Sequence, residues 1–512
     1  LGFYIPSIFD LPAPSNDTAT SKPVASRGRH HKRSGAALRG TLANWVSGIV
    51  SARLAETERG SVSARAWDLY TNDAMAHGII EGMTTEVVGI GLSPQPQPMT
   101  RWLKRDQVWQ EQYQQAAYDT FEIWGLDPRN FCDATRRMNI YMLQVLAYFH
   151  WKLDGIGLFQ PIMVKDPYRP FSLSILPIDP SRLTTPTDAP KTEDIYDGVV
   201  IDKYGAIEAA YIQRPTTAKW AASFGMAQVA NCDRIPAYNP KTGFPNLLFV
   251  CDVRNVAEYR QDSILGSMIK ELRDSGDFVN AALVKALVSN LFTVFIQDET
   301  GQSAVTTWED RIQELEQGTM IMGAAWEKPH IISSDAPGPN FDTMNESIIG
   351  RLGMATGRGP ENVTKAYKAS YSASQASIEN AEKLNNFERM VLVNRFCQPI
   401  EMIRQYEAAL RGYLPVSSIE EFRRPENWYA YTRTDWLPPP MRPIDKVKAA
   451  KADEIRLQNR TITYSDLYAE KGKDWRVALR QSAQEQAYIS ALEEEYGVRL
   501  RPEPKQGEGQ TE

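Results

Sequence analysis

No apolar stretch of this 512-residue chain approaches the roughly 18 residues that a membrane-spanning helix needs, and no secretory leader is visible at its start. Cysteine is scarce. Cys132, Cys232, Cys251 and Cys397 lie far apart with no CxxC pair, so free thiols in a reducing compartment are expected rather than a disulfide framework. His30, His31, His77, His150 and His330 offer no metal-ligand spacing beyond the adjacent pair, and HExxH and GxSxG are both missing. A phosphate-cradling GxxxxGK followed by Ser or Thr is missing too. Gly472 and Lys473 run into Asp474 without the leading glycine, which argues against a nucleotide-driven motor. Gly89 and Gly91, like Gly357 and Gly359, open a GxGxxG that Pro94 and Asn362 fail to complete, so both are read as turns. A basic excess is also lacking. The formal net charge of −6 argues against a broad, static grip on nucleic acid, while passage of a duplex that slides remains compatible with it.

What is present is ordinary for folded protein: 42% hydrophobic and 23% charged residues, in a chain too long for one core, so several lobes are expected. Trp and Tyr are plentiful and suit subunit interfaces and cores alike. Residues 1–40 carry Pro6, Pro12, Pro14, Pro23 and a basic cluster at Arg27, Arg29, Lys32 and Arg33, and read as a solvated tail. Residues 41–90 read as helical, with Ser61 and Ser63 as candidate N-caps, and two more helices are expected at 101–124 and 133–150. From 151 to 255 short apolar runs alternate with Pro and Gly (159–164, 173–178, 199–201, 209–212, 247–250), which predicts a mostly β lobe. Helix returns at 256–296, with a possible break at Ser275 and Gly276, then at 341–356, at 374–410, and in the C-terminal stretches 443–459 and 464–495. The predicted class is α+β, mainly helical.

Chemistry has few footholds. Ser267 and Lys270 form an SxxK inside an amphipathic helix with no companion motif, and Asp252, Glu258 and Asp262 would make a nuclease-like cluster only if folding gathered them. The residues therefore indicate no catalytic site, no metal and no cofactor. On these residues alone the chain reads as a non-enzymatic, multi-lobed, helix-rich assembly protein, and the alternatives left open are an enzyme such as a nuclease or protease and a different ring or scaffold protein, although adaptors of that kind are usually much shorter.

Four stretches, in order, resemble the portal family of lambda-type tailed phages. The first is Ala64, Arg65, Ala66, Trp67, Asp68 and Leu69, running on to Val87, Val88, Gly89, Ile90, Gly91 and Leu92. The second runs from Ile235 and Pro236 through Phe249 and Arg254 into the helix at 263–292. Here Asp252 to Gln261 departs from the family's Arg-Pro-Gly-Gln-rich turn. The third joins Gly359, Pro360, Glu361 and Asn362 to Tyr371, Ser372 and Ser377. The fourth joins Trp436 to Pro443, Asp445, Lys446 and Lys448.

The resemblance implies a portal-type fold assembling into a ring of about twelve subunits with a central channel. It implies a wing at 41–255, a stem helix at 256–296, a clip at 297–340 and a second stem helix at 341–356. A tunnel loop at 357–372, a long helix and return to the wing at 373–442, crown helices at 443–497 and a disordered tail at 498–512 complete the set. It implies a non-enzymatic homo-oligomer at the capsid portal vertex, assembled in the host cytoplasm with no membrane step. Double-stranded DNA would pass through it. Its partners would be the terminase large subunit, a head–tail adaptor protein, and the major capsid and scaffolding proteins. Arg358, Lys365 and Lys368 would then touch phosphates loosely, and Gly353, Gly357 and Gly359 would let the loop move.

Overall fold

The computed structural model describes residues 52–214, 231–256, 258–290, 294–298, 327–331, 341–366, 371–439 and 446–500. The expected tail at 1–40, most of the expected clip, Lys368 and the last twelve residues lie outside this set. The described residues are mainly helical with four small sheets, as the α+β reading expects.

Within the stretch read as helical, 41–90, the described residues form helix α1 (Ala52–Asn72) and helix α2 (Ala74–Val87). The break is at Asp73, whose Oδ1 accepts from the Ala76 amide at 2.7 Å and so caps α2. Ser61 and Ser63 are not caps. Both lie inside α1, and Ser63 Oγ donates instead to Asp154 at 3.0 Å. Past the expected stop at Gly89–Gly91, strand β1 (Ser93–Pro96) pairs antiparallel with a strand more than 300 residues later, Thr434–Leu437. Its two prolines hid it in the sequence. They are tolerated because a two-stranded ribbon leaves each strand one edge without ladder bonds.

A one-turn helix α3 (Thr100–Leu103) precedes helix α4 (Gln107–Gly125), capped by Asp106, and helix α5 (Ile140–Asp154), capped by Asn139 and ended by Gly155 with φ +79°. Helix α5 starts seven residues later than expected because Asp133 knots the intervening loop. The β lobe follows the predicted runs closely. Strands β2 (Gly157–Met163), β3 (Leu173–Ile178), β4 (Asp194–Tyr196), β5 (Val199–Ile201), β6 (Ile207–Gln213), β7 (Cys232–Pro236) and β8 (Leu248–Val250) form two antiparallel sheets, ordered β3-β2-β8 and β4-β5-β6-β7.

The expected helix at 256–296 is shorter. After a 3-10 turn, helix α6 (Ile269–Asn290) runs unbroken through Ser275 and Gly276, and residues 294–298 are strand β9, paired with β10 (Glu327–Ile331). Helix α7 (Phe341–Thr356) lies where it was read, and the expected loop after it contains a short helix α8 (Pro360–Thr364). The long helix expected at 374–410 is two, α9 (Tyr371–Leu392) and α10 (Gln398–Leu410), joined by a π segment in which the Gln398 amide reaches Val393 O. Pro399 has no amide to continue the α ladder, which favours such a slip. Helices α11 (Ile419–Arg423) and α12 (Pro425–Thr432) lead to β11 (Thr434–Leu437). At the C-terminus α13 (Lys446–Gln458) is followed by α14 (Tyr464–Glu470) and α15 (Trp475–Tyr496), which Asp474 caps.

One core joins α2, α4, α5, α9 and α10 to the three-stranded sheet, with Phe121, Trp124, Tyr148, Phe159 and Phe396 fully buried. Two buried charges are locked inside it. Arg404 and Glu401 on α10 form a two-pronged pair, and Arg404 also donates to Ala117 O (3.0 Å) and Thr120 Oγ1 (2.8 Å) on α4. Arg404→Ala is expected to destabilise by about 3–5 kcal/mol because it strands the Glu401 charge in the core, against about 1 kcal/mol for Asp73→Ala, as read by chemical unfolding.

Candidate functional site

The segment between α7 and α9 carries most of the site residues expected from the sequence. Its geometry begins with three glycines. Gly353 lies inside α7, buried, where an added Cβ would sit 2.5 Å from Pro360 N. Its small size therefore serves close packing rather than motion. Gly357 (φ +72°) ends α7 and Gly359 (φ +83°) starts α8, both in the left-handed region that glycine adopts without strain. Two fixed turns thus place α8 against both neighbouring helices.

The two halves of the third family-like stretch meet here. Asn362 Nδ2 donates to Ser377 Oγ at 3.1 Å and to Arg358 O at 2.7 Å, tying α8 to α9. Glu361 accepts from the same Ser377 hydroxyl at 3.4 Å.

Arg358 turns away from solvent. Its side chain is 2% exposed and faces inward, so in this structure it presents no cation to a phosphate. The guanidinium pairs with Glu388 on α9, donates to Asn385 Oδ1 at 3.0 Å, and lies 3.6 Å from a Glu86 oxygen. Glu388 is the hub. It also accepts from Lys152 Nζ at 2.6 Å and Tyr148 Oη at 2.5 Å, both on α5. The Lys152 ammonium lies 4.0 Å from the Trp151 ring centroid. A buried carboxylate with these partners keeps its charge. Burial alone would raise its pKa, but Lys152 and Arg358 outweigh burial and hold it below the ordinary value of 4.5. Burial, reinforced by Glu388, pushes the Tyr148 hydroxyl up, so it stays a donor.

Lys365 remains half exposed, with a left-handed backbone at the end of α8, and its ammonium pairs with Glu86 at the end of α2. Arg389, next to the hub, donates to Val87 O at 2.9 Å and to Glu86 O, closing the frame. Glu86, Tyr148, Lys152, Asn385 and Glu388 were not anticipated. The one sequence signal was Lys152 itself, a cation in the apolar run from Tyr148 to Leu153, which burial obliges to find a carboxylate.

Other candidate chemistry is dispersed. Asp252 pairs with Arg254, Asp262 with Arg59 at 3.1 Å, and Glu258 accepts from Asn255 at 3.1 Å. Among the described residues no three His, Cys, Asp or Glu side chains gather as metal ligands would, and no helix is long and apolar enough to cross a membrane.

Because the Glu388 carboxyl is lowered by folding, its stabilising contribution is complete above about pH 4.5 and is lost as pH falls through its lower folded value. Glu388→Gln should therefore cost about 3 kcal/mol or more at neutral pH. The difference from the unsubstituted chain should narrow in acid, as followed by unfolding at a series of pH values.

Three solved structures share a distant likeness with the chain. The neck of a native gene transfer agent particle computed with C12 symmetry is 9% identical, covering 80% of this chain and 90% of that one, with a TM-score of 0.42. A virion of the native gene transfer agent particle is 10% identical over 79% of this chain and 89% of that one, with a TM-score of 0.42. The neck of an empty particle computed with C6 symmetry is 11% identical, with the same coverages and TM-score as the virion. The sequence itself carries the assignment. The family described as phage portal protein, lambda family, matches residues 39–389, well over half of the chain and including α1 to α9 up to Arg389. The first three family-like stretches, with the joined motif of Asn362 and Ser377, lie inside the matched residues and the fourth, from Trp436, lies beyond them; the chain is a member of the lambda family of phage portal proteins.

Proposed function

We propose that this protein forms the portal vertex of a phage capsid, a ring of about twelve subunits around a channel for double-stranded DNA. The observation that carries the reading is the family match over residues 39–389. The same ring would dock the packaging motor, the terminase large subunit, and later the head–tail adaptor, with the major capsid and scaffolding proteins around it. Its work is mechanical rather than catalytic.

The parts follow as proposals. Residues 41–255 form the wing, α6 and α7 the stem, 297–340 the clip, 357–372 the tunnel loop and the helices from 443 to 497 the crown. Duplex DNA carries a charge for about every 1.7 Å of its axis, so a wall dense in cations would trap it. The net charge of −6 on each subunit fits a channel that repels the duplex and lowers friction.

Contact with the duplex is then confined to few cations. Arg358 is withdrawn from that role by its burial and becomes the anchor of the loop. Lys365, half exposed although paired with Glu86, and Lys368 remain as the phosphate contacts. The glycines at 357 and 359 set the turns that lead into α8 and so to Lys365.

Two measurements test the reading. Native mass with negative-stain imaging should show open rings of about twelve subunits; a small closed oligomer without a channel would overturn the proposal. Lys365→Glu with Lys368→Glu should leave ring assembly intact while reducing packaged DNA several-fold, and Lys365→Gln, which sets no carboxylate against Glu86, should act in the same direction. Arg358→Glu should instead lower the melting temperature, and normal DNA yield from the double lysine variant would remove the loop from the mechanism.

A further inference from the structure

The loop joining α4 to α5 has no part in the channel reading, yet it is built with care. Asp133, fully buried, accepts from the amides of Thr135 (2.8 Å), Arg137 (2.9 Å) and Met138 (3.1 Å). Cys132 O accepts from the Ile175 amide at 2.7 Å and the Ala134 amide donates to Ile175 O at 2.9 Å, stitching the loop to β3. Arg136 has a left-handed backbone, φ +57°, a conformation a long side chain adopts only where its surroundings impose it. The loop is thus fixed, and its rigidity places arginines at the surface.

The guanidinium carbons of Arg129, Arg136 and Arg169 lie 4.7, 4.8 and 5.0 Å from the centroid of the Phe131 ring. Arg169 is the floor, 7% exposed, with an Nε that has no hydrogen-bond partner. Arg129 and Arg136 are more than half exposed along their side chains. Arg137 is exposed and its guanidinium donates to Thr135 Oγ1 at 3.1 Å, with no ion pair among the described residues. Asp166 accepts from Arg136 at 2.9 Å and from the Tyr168 amide at 3.0 Å, which brings a Tyr168 that is 79% exposed beside the arginines.

We propose that this face docks an acidic protein segment. Arg136 and Arg137 would take its carboxylates, and an apolar or aromatic side chain of the partner would cover Tyr168. Arginine beside an exposed tyrosine on a preorganised loop is the composition and rigidity of protein–protein contacts. Nucleic acid fits less well, because Asp127 and Asp166 neutralise two of the arginines and leave a net positive charge that suits one or two carboxylates rather than the dense row of phosphates on a duplex. Position separates the face from the Glu388 hub as well. The loop lies at the N-terminal end of α5, whereas Tyr148 and Lys152 lie about 12–18 Å further along the helix axis. The proposal therefore stands whether or not the channel reading does.

The test is fluorescence anisotropy of the full chain with a labelled peptide of glutamates containing two tyrosines. A lysine peptide of equal length and a short DNA duplex serve as comparisons. The glutamate peptide should bind, weaken with salt, and lose about tenfold or more in affinity to R136E/R137E while the melting temperature holds. The reversed variant should gain affinity for the lysine peptide. Should the double variant fold poorly, R137Q, which breaks no ion pair, should still weaken the glutamate peptide about threefold. No binding of the glutamate peptide, unchanged affinity in the variants, or displacement of the peptide by the duplex at equal concentration would each overturn the proposal.

Discussion

A charge can stay in a protein interior only if its neighbours replace the water it has lost. Glu388 meets that condition with Lys152, Arg358 and Tyr148, drawn from two separate parts of the chain. That single requirement orders much of the molecule. Removing Glu388 leaves two buried cations without their carboxylate, and removing any of its partners takes away one of its hydrogen bonds, so α5, α9 and the turn after α7 are held in one arrangement. Arg389 and Glu86 extend the same frame to the end of α2. The segment that family membership makes most interesting is accordingly anchored at its start, and Lys365 at the end of α8 is half exposed.

The periodic parts of this architecture were legible in the sequence. Short apolar runs between turns located β2, β3, β5, β6 and β8 almost to the residue, because half-buried strands alternate with Pro and Gly that end them. Helix boundaries were less legible. Asp73, Asp106, Asn139 and Asp474 cap helices through side chain to amide bonds, and polar residues of that kind are too common to point to one position. The ribbon of β1 with β11 and the π slip before Pro399 depend on partners and on backbone bonds that no local pattern encodes.

The site shows the same division. Gly357 and Gly359 were visible as turn formers, and Asn362 and Ser377 as halves of one motif, although their contact is a tertiary fact. Arg358 could not be told from Lys365 by sequence, since each is a cation in a glycine-rich stretch. Burial separates them, turning one into an anchor and leaving the other at the surface. Composition carries a parallel lesson. A chain that is acidic overall still gathers arginines around Phe131, and its net charge says nothing about where such a cluster sits.

The most direct test of the account is a density map of the assembled particle that locates residues 357–372 relative to the channel axis. The account predicts the Glu388 hub intact inside each subunit and Lys365 facing the lumen. Lys365 on the outer wall of the ring, or Arg358 released from Glu388 and exposed to the duplex, would contradict it.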